Sequence, residues 1–233
     1  MNWSDEGIVL SARPHGETSL LVHLLTHGHG RHTGLARGAR SAKTRIGYEP
    51  GALVEAHWQA RLAEHLGHLR CELLHGHASA LIEDPARLAC LASLVAVAEA
   101  ALPEREPQPR LYEATKEVLA RLERGEAWAE AYVEWELLLL AELGFGLDLE
   151  RCGATGATRD LTHVSPKTGR AVSAAAARPY LEKLLPLPDA SDLAGWLRLT
   201  GFFLARHVWA ERGEPASRAR FMERATTSGV SRL

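Results

Sequence analysis

The sequence predicts a small β-barrel followed by an α-helical domain. Three observations support this: the chain has 233 residues, its first third breaks into short apolar runs between turn residues, and its remainder carries Ala and Leu at helical spacing. A chain of this length has room for two domains. We expect residues 1–77 to form the barrel and residues 78–233 to form the helical domain.

Five short strands are predicted in the first domain. Their apolar runs are GIVLSAR, SLLVHLL, GRHTGLAR, ALVEAHWQAR and HLGHLRCELL. Proline and glycine between these runs supply the turn conformations that a compact sheet requires. Five strands in about 70 residues suit a closed or partly open barrel better than a sandwich.

The helical domain is predicted from Ala-rich and Leu-rich periodicity. Helices are expected over residues 85–102, 110–125, 128–143, 174–184 and 192–212, with a short one after Pro215. The connector PEREPQP separates the first two, because its prolines cannot continue a helix. Residues 146–172 are expected to be an irregular insert with a short hairpin across LTHVS and GRAVS.

Composition excludes several classes of protein. With 46% hydrophobic and 24% charged residues, the chain is expected to be globular, and its most apolar stretches are too short and too charged for a membrane span. The N-terminal MNWSDEG carries acids where a secretory signal has basic residues. We therefore expect a cytoplasmic protein with no membrane contact.

Residues 30–45, GRHTGLARGARSAKTR, carry five cations and no acid in a chain of formal net charge −2. The cations are Arg31, Arg37, Arg40, Lys43 and Arg45. Such spacing favours a polyanion backbone, and Gly34 and Gly38 are expected to let the main chain approach it. The alternative is a solvated loop whose charges bind nothing.

The order of several short motifs resembles the RecO family of bacterial DNA-repair mediators. The stretches are GIVL at 7–10, RPHGET at 13–18, GR at 30–31 and ARGARSAKTR at 36–45. Looser similarity follows in LGFGLDLERC, VSPKTGRAVS, RPYLEKLLPLP and GFFLARHVWAERGEPASR. The resemblance spans the whole chain.

That resemblance implies an OB-fold barrel that binds single- and double-stranded DNA without strong sequence preference. OB barrels hold single strands through a basic groove and stacked aromatic rings. Trp3, Tyr48 and Trp58 are candidate rings. We favour Tyr48 as the base contact because it lies on a predicted turn, whereas the alternation around Trp58 favours the core. The DNA-binding set is therefore Arg31, Arg37, Arg40, Lys43, Arg45 and Tyr48.

The resemblance also implies partners and a role. These are strand annealing, help in loading RecA onto DNA covered by single-strand-binding protein, and contacts with RecR and with the C-terminal tail of single-strand-binding protein. The tail is expected on the helical domain, where cations lie beside apolar side chains: Arg110, Lys116, Arg121, Arg124, Arg198, Arg206, Phe202 and Phe203. The alternative is an OB-fold adaptor for RNA or a protein partner.

No catalytic, metal or cofactor site is predicted. GxSxG, HExxH, GxxxxGK[ST] and a Rossmann glycine fingerprint are all missing from the sequence, so an enzyme is not expected. The histidines of THGHGRHTG have no nearby Cys or acid to complete a ligand set. Some RecO proteins carry a four-cysteine cluster where this chain has Cys152 alone, so its insert is expected to hold by packing and hydrogen bonds.

Overall fold

The computed structural model describes residues 1–62, 64–210 and 213–227, and their side chains except those at positions 42, 43 and 227. Its strands are β1 (Asn2–His15), β2 (Ser19–Thr26), β3 (Gly30–Ala36), β4 (Leu53–Gln59), β5 (His68–His75), β6 (Leu161–Val164), β7 (Ala171–Ser173) and β8 (Leu185–Pro186). Its α-helices are α1 (Ala42–Arg45), α2 (Pro85–Ala101), α3 (Pro109–Arg124), α4 (Trp128–Glu142), α5 (Ala174–Ala177), α6 (Leu193–His207) and α7 (Ala216–Thr227). Short 3-10 helices span Ile46–Tyr48, Ala78–Leu81 and Arg178–Lys183.

The first five strands close into a barrel in the order β1-β2-β3-β5-β4. The long β1 pairs with β2 through its second half and with β4 through its first half, and a bulge between Val9 and Ser11 bends it. The barrel closes where β3 runs parallel to β5, with Leu35 opposite His68. The predicted fold class, an OB-type barrel followed by helices, is confirmed.

The barrel core follows the period-two alternation of the strands. Along β2 the inward side chains Leu20, Val22 and Leu24 are buried, and along β4 the buried positions are Val54, Ala56 and Trp58. Each fully buried large apolar side chain contributes about 1.5–3 kcal/mol relative to exposure. Along β4 the same alternation turns Glu55 and His57 outward.

Helices α2 and α3 begin and end at local signals that the sequence carries. Asp84 caps α2 by accepting from the backbone N–H groups of Ala86 and Arg87, both at 3.0 Å. Helix α3 ends at Gly125, which adopts the left-handed conformation. A clamp ties α3 to β1, since Tyr112 and Lys116 both donate to Glu6 Oε1, at 2.8 and 2.6 Å.

Two helices of the second half meet around a buried carboxylate. Glu136 on α4 is fully buried and accepts from the hydroxyl of Tyr132 on the same helix and from Thr200 on α6. The predicted hairpin in the insert is confirmed as β6 and β7, and the sequence missed the two-residue β8 that pairs with β6. The helix predicted over 174–184 is α5 followed by a 3-10 segment.

The chain divides into two compact units, residues 1–128 with 215–221 and residues 129–214 with those from 222 onward. This division groups α2 and α3 with the barrel, and the domain boundary at residue 77 stays a prediction. Helix α6 ends at His207, five residues short of its predicted end, and Arg212 lies outside the described residues. Within the described ranges, no helix is long and apolar enough to cross a membrane.

Candidate nucleic-acid interface

The basic loop, residues 37–45, leaves the barrel directly after β3. Its backbone is fastened to the opposite turn by the bond from Arg40 N to Thr18 O at 3.3 Å. Ser41 then caps the short α1, with its Oγ accepting from Thr44 N at 3.3 Å. The loop is therefore held to the barrel wall at its centre, and the side chains of Arg37, Arg40 and Arg45 are exposed.

These three arginines differ in how far the fold uses them. Arg40 Nη1 donates to the backbone oxygens of Gly16 and Glu17, at 3.0 and 2.8 Å, so this guanidinium also closes the β1–β2 turn. Within the part of the chain that the structure describes, Arg37 and Arg45 have no ion pair or side-chain hydrogen bond. Their full charge faces solvent. The side chain of Lys43 lies outside the described residues.

The two glycines expected to approach a ligand have different structural roles. Gly34 is buried in β3, and a Cβ there would lie 2.6 Å from Leu69 Cβ, so its missing side chain lets β3 and β5 close the barrel. Gly38 is exposed in the loop with φ of +67°, which a side chain would strain. Gly38 alone remains positioned beside the basic side chains.

A groove of about 740 Å³ lies on the barrel surface beside this loop. We call it the barrel groove, and it is lined by Asn2, Trp3, Ser4, Leu35, Arg37, Tyr48, His57, Trp58, Gln59, His68, Leu69 and Arg70. A smaller hollow of about 240 Å³ includes Arg40, Arg45 and Tyr48. Tyr48 borders both, so it shares one hollow with Arg37 and the other with Arg40 and Arg45.

The candidate rings are mostly buried. Tyr48 is 8% exposed, accepts from Cys71 N at 3.3 Å through its hydroxyl, and burial raises the pKa of that phenol. Its role as a base contact stays a prediction. Trp58 is a core residue, as predicted, at 3% exposure. Trp3 is only partly buried and stacks on His29, with ring centroids 4.3 Å apart.

Arg31 is held away from the other predicted cations. Its Nε donates to Leu102 O at 2.7 Å and its Nη1 pairs with Glu104 at 3.2 Å. Because a strand rises about 3.3 Å per residue, Arg31 and Arg37 lie about 20 Å apart along β3. The guanidinium of Arg31 thus joins the barrel to the connector after α2, and its place in the DNA-binding set stays a prediction.

Three further groove residues were missed by the sequence reading. Arg70 on β5 is exposed and pairs with Glu72 at 2.9 Å, while His57 and His68 present their rings on the same surface. The alternation of HLRCELL could have identified Arg70, because the buried Leu69 beside it turns Arg70 outward. Strand pairing then brings β4 and β5 together at this surface.

The histidines of THGHGRHTG have separate surroundings. His29 Nδ1 lies 3.0 Å from Asp5, His27 packs edge-on against Tyr112, and His32 is buried between Trp3 and Trp58. The insert around Cys152 is held by backbone bonds, such as Cys152 N to Ala157 O at 2.7 Å, and the sulfur accepts from Ser173 N.

Comparison with known proteins identifies the family. The family models described as Recombination protein O N terminal and Recombination protein O C terminal match residues 1–77 and 82–214. A protein named DNA repair protein RecO from Rhodospirillum centenum is 51% identical, with 99% of each chain covered. Those from Rhodospirillum rubrum and Sinorhizobium medicae are 50% and 46% identical, covering 96% and 94% of this chain and 96% and 92% of their own. The chain therefore belongs to the RecO family of DNA repair proteins.

Proposed function

We propose that this chain binds single- and double-stranded DNA, anneals complementary strands, and assists RecA loading onto DNA covered by single-strand-binding protein. The observation that supports it best is the exposed, unpaired state of Arg37 and Arg45, among the described residues, on a loop that borders the barrel groove. Unpaired cations in an otherwise well-mixed surface lose no ion pair when they bind phosphate. Family membership makes DNA the polyanion of choice.

The arrangement suits annealing because it contacts the backbone and leaves the bases free. Phosphate contacts position a strand without reading its sequence. The guanidinium groups that line the two hollows beside Tyr48 screen the electrostatic repulsion between two DNA strands brought together at this surface. Trp3, Tyr48 and Trp58 give the lining of the groove aromatic side chains against which a base can lie. No bond is made or broken in this scheme, and we infer that the protein is not an enzyme.

We propose that the second unit binds the C-terminal tail of single-strand-binding protein. On α6, Phe202 is 37% exposed, and nearby in sequence Arg206 donates to Pro166 O. Phe145, 38% exposed, stacks on His207 at 4.2 Å. Cations beside exposed rings suit an acidic tail with an apolar end, which is the chemistry we propose for the tail of single-strand-binding protein. RecR is proposed as a further partner, and the cytoplasmic nucleoid as the location.

The test replaces Arg37 and Arg45 together by Ala in the full chain. Fluorescence anisotropy then measures affinity for labelled single-stranded DNA of several sequences over a salt series. Affinity should fall alike for all sequences. The log–log salt slope should become shallower by about 1.4, because each neutralised phosphate contributes about 0.7 to it. Annealing of complementary oligonucleotides should slow in parallel.

The matched control is the double variant Arg121→Ala and Arg124→Ala, which removes the same charge from α3, where both arginines pair with Glu117. It should keep the wild-type slope. Equal losses in both variants would contradict a local interface, and an unchanged slope in the first would contradict the proposal. Tighter binding of RNA than of DNA would favour the adaptor alternative.

A further inference from the structure

Three potential metal ligands, none of them in the basic loop, converge where β5 ends. His75 is the last residue of β5, His77 caps the 3-10 helix Ala78–Leu81, and Glu123 lies in the last turn of α3. Glu123 Oε2 lies 2.9 Å from His75 Nε2 and 3.0 Å from His77 Nδ1. Each of the three elements thus contributes one ligand atom to the same place, although His77 and Glu123 are more than 40 residues apart in sequence.

The spacing of these atoms fits a small divalent ion with little rearrangement. In a tetrahedral zinc site with bonds of about 2.0–2.1 Å, neighbouring ligand atoms lie about 3.3 Å apart. The two histidine–carboxylate pairs are hydrogen-bonded at 2.9 and 3.0 Å, so an ion would replace the shared ring protons, with each imidazole in its other tautomer, and each pair would separate by about 0.4 Å. The two histidine rings are already crossed at 70°, with centroids 4.5 Å apart, so they approach the point from different directions.

The surrounding structure holds the three groups together. His77 is buried, Glu123 is half-buried, and both imidazoles bond to Glu123 Oε2. Arg87 fixes the backbone here, because its Nη1 donates to Leu122 O at 2.9 Å.

We propose that His75 Nε2, His77 Nδ1 and the Glu123 carboxylate bind one divalent transition-metal ion of the Zn²⁺ class. Two imidazoles and a carboxylate suit Zn²⁺ better than Mg²⁺ or Ca²⁺, which prefer oxygen ligands throughout. His77 anchors the site from the buried side, while the side chain of His75 is 49% exposed. A fourth position therefore opens to water. The ion fastens the end of β5 to the end of α3.

The test uses the untagged full chain after chelator treatment and dialysis. Titration with Co²⁺, a coloured substitute for Zn²⁺, should produce the intense visible absorption of four-coordinate cobalt and saturate at one ion per chain. Zn²⁺ should displace it. His77→Gln and Glu123→Gln should weaken Co²⁺ binding at least tenfold, and Zn²⁺ should raise the melting temperature of the wild type but not of these variants.

His75→Gln tests the site in a variant that is expected to fold. The side chain is half-exposed at the end of a strand, so its replacement should leave the circular dichroism spectrum unchanged. The matched control is His57→Gln, from the exposed group Glu55, His57 and Glu72 on β4 and β5. It should bind Co²⁺ as the wild type does. The proposal is overturned if the wild type gives no four-coordinate cobalt spectrum, or if folded His75→Gln binds with unchanged affinity.

Discussion

Arg31 and Arg37 are six positions apart on one strand and its following loop, and their surroundings are opposite. The side chain of Arg31 is 14% exposed and contacts Leu102 O and Glu104. Arg37 is exposed and unpaired among the described residues. A guanidinium whose donors are used inside the fold contributes to stability, whereas one that faces water is available to a ligand.

Arg31→Ala should therefore lower the free energy of unfolding by about 1–3 kcal/mol, because Leu102 O is left buried without this charged donor. Urea denaturation at neutral pH measures it. The control Arg37→Ala should change stability by less than about 0.5 kcal/mol. The reverse ranking would show that the connector does not depend on Arg31.

At the scale of elements, α4 and α6 are joined by a polar contact inside an apolar interface. Glu136 is fully buried, and the Thr200 hydroxyl donates to its Oε2 while also bonding Trp196 O within α6. A buried carboxylate is costly unless donors satisfy it. This contact therefore helps to set how the two helices are aligned, since sliding either one would break the bond between Thr200 and Glu136 Oε2.

Thr200→Val keeps the shape of the side chain and removes that donor. We expect a loss of about 1–3 kcal/mol in unfolding free energy, measured by chemical denaturation. Thr226→Val is the matched control, because Thr226 is exposed and bonds within its own helix, at Met222 O and Glu223 O. A loss no larger than that of the control would mean that Glu136 does not need Thr200.

Elements were predictable from the sequence where one local signal decides them. The five strands, the starts of α2 and α3 and the insert hairpin follow from alternation, prolines and caps. What could not be predicted depends on pairing across long separations. The sequence places Tyr48 on a turn, and only the fold shows that its hydroxyl bonds to Cys71 on β5. Nothing in the sequence indicates that Glu123 lies beside His77. In the sequence Arg31 is one of five cations in a basic run, and only the fold shows that the connector after α2 lies beside it.

At the scale of the whole molecule, acid should destabilise the fold already at pH values well above those at which carboxylates usually titrate. His32 is buried, its ring nitrogens have no partner among the described residues, and burial lowers its pKa to about 4. Burial also lowers the pKa of His23 and His77. In the unfolded chain these histidines have an ordinary pKa of about 6.5 and bind protons at pH values where the folded protein does not. The free energy of unfolding therefore falls as pH drops from about 6.5 toward 4.

For His32 alone, the loss between pH 7 and pH 5 should be about 2 kcal/mol. His32→Phe removes the titrating group, so its unfolding free energy should fall about 2 kcal/mol less over this interval than that of the wild type, whatever its absolute stability. Urea denaturation at both pH values measures it. His15→Gln, at the exposed end of β1, should keep the wild-type dependence. Parallel curves for His32→Phe and the wild type would contradict this account.

The closure of the barrel has a mechanical consequence for whatever binds beside it. Four of the five strand pairings are antiparallel ladders, while β3 and β5 are joined by the pair Leu35 and His68 and the bond from Leu35 N to Gly67 O. Leu35, His68 and Leu69 also line the barrel groove. Separating β3 from β5 would widen the barrel groove and break few backbone hydrogen bonds. The pairing of β3 with β5 is thus the weakest connection in the closed barrel, and the DNA strand that we propose for the barrel groove would lie across it.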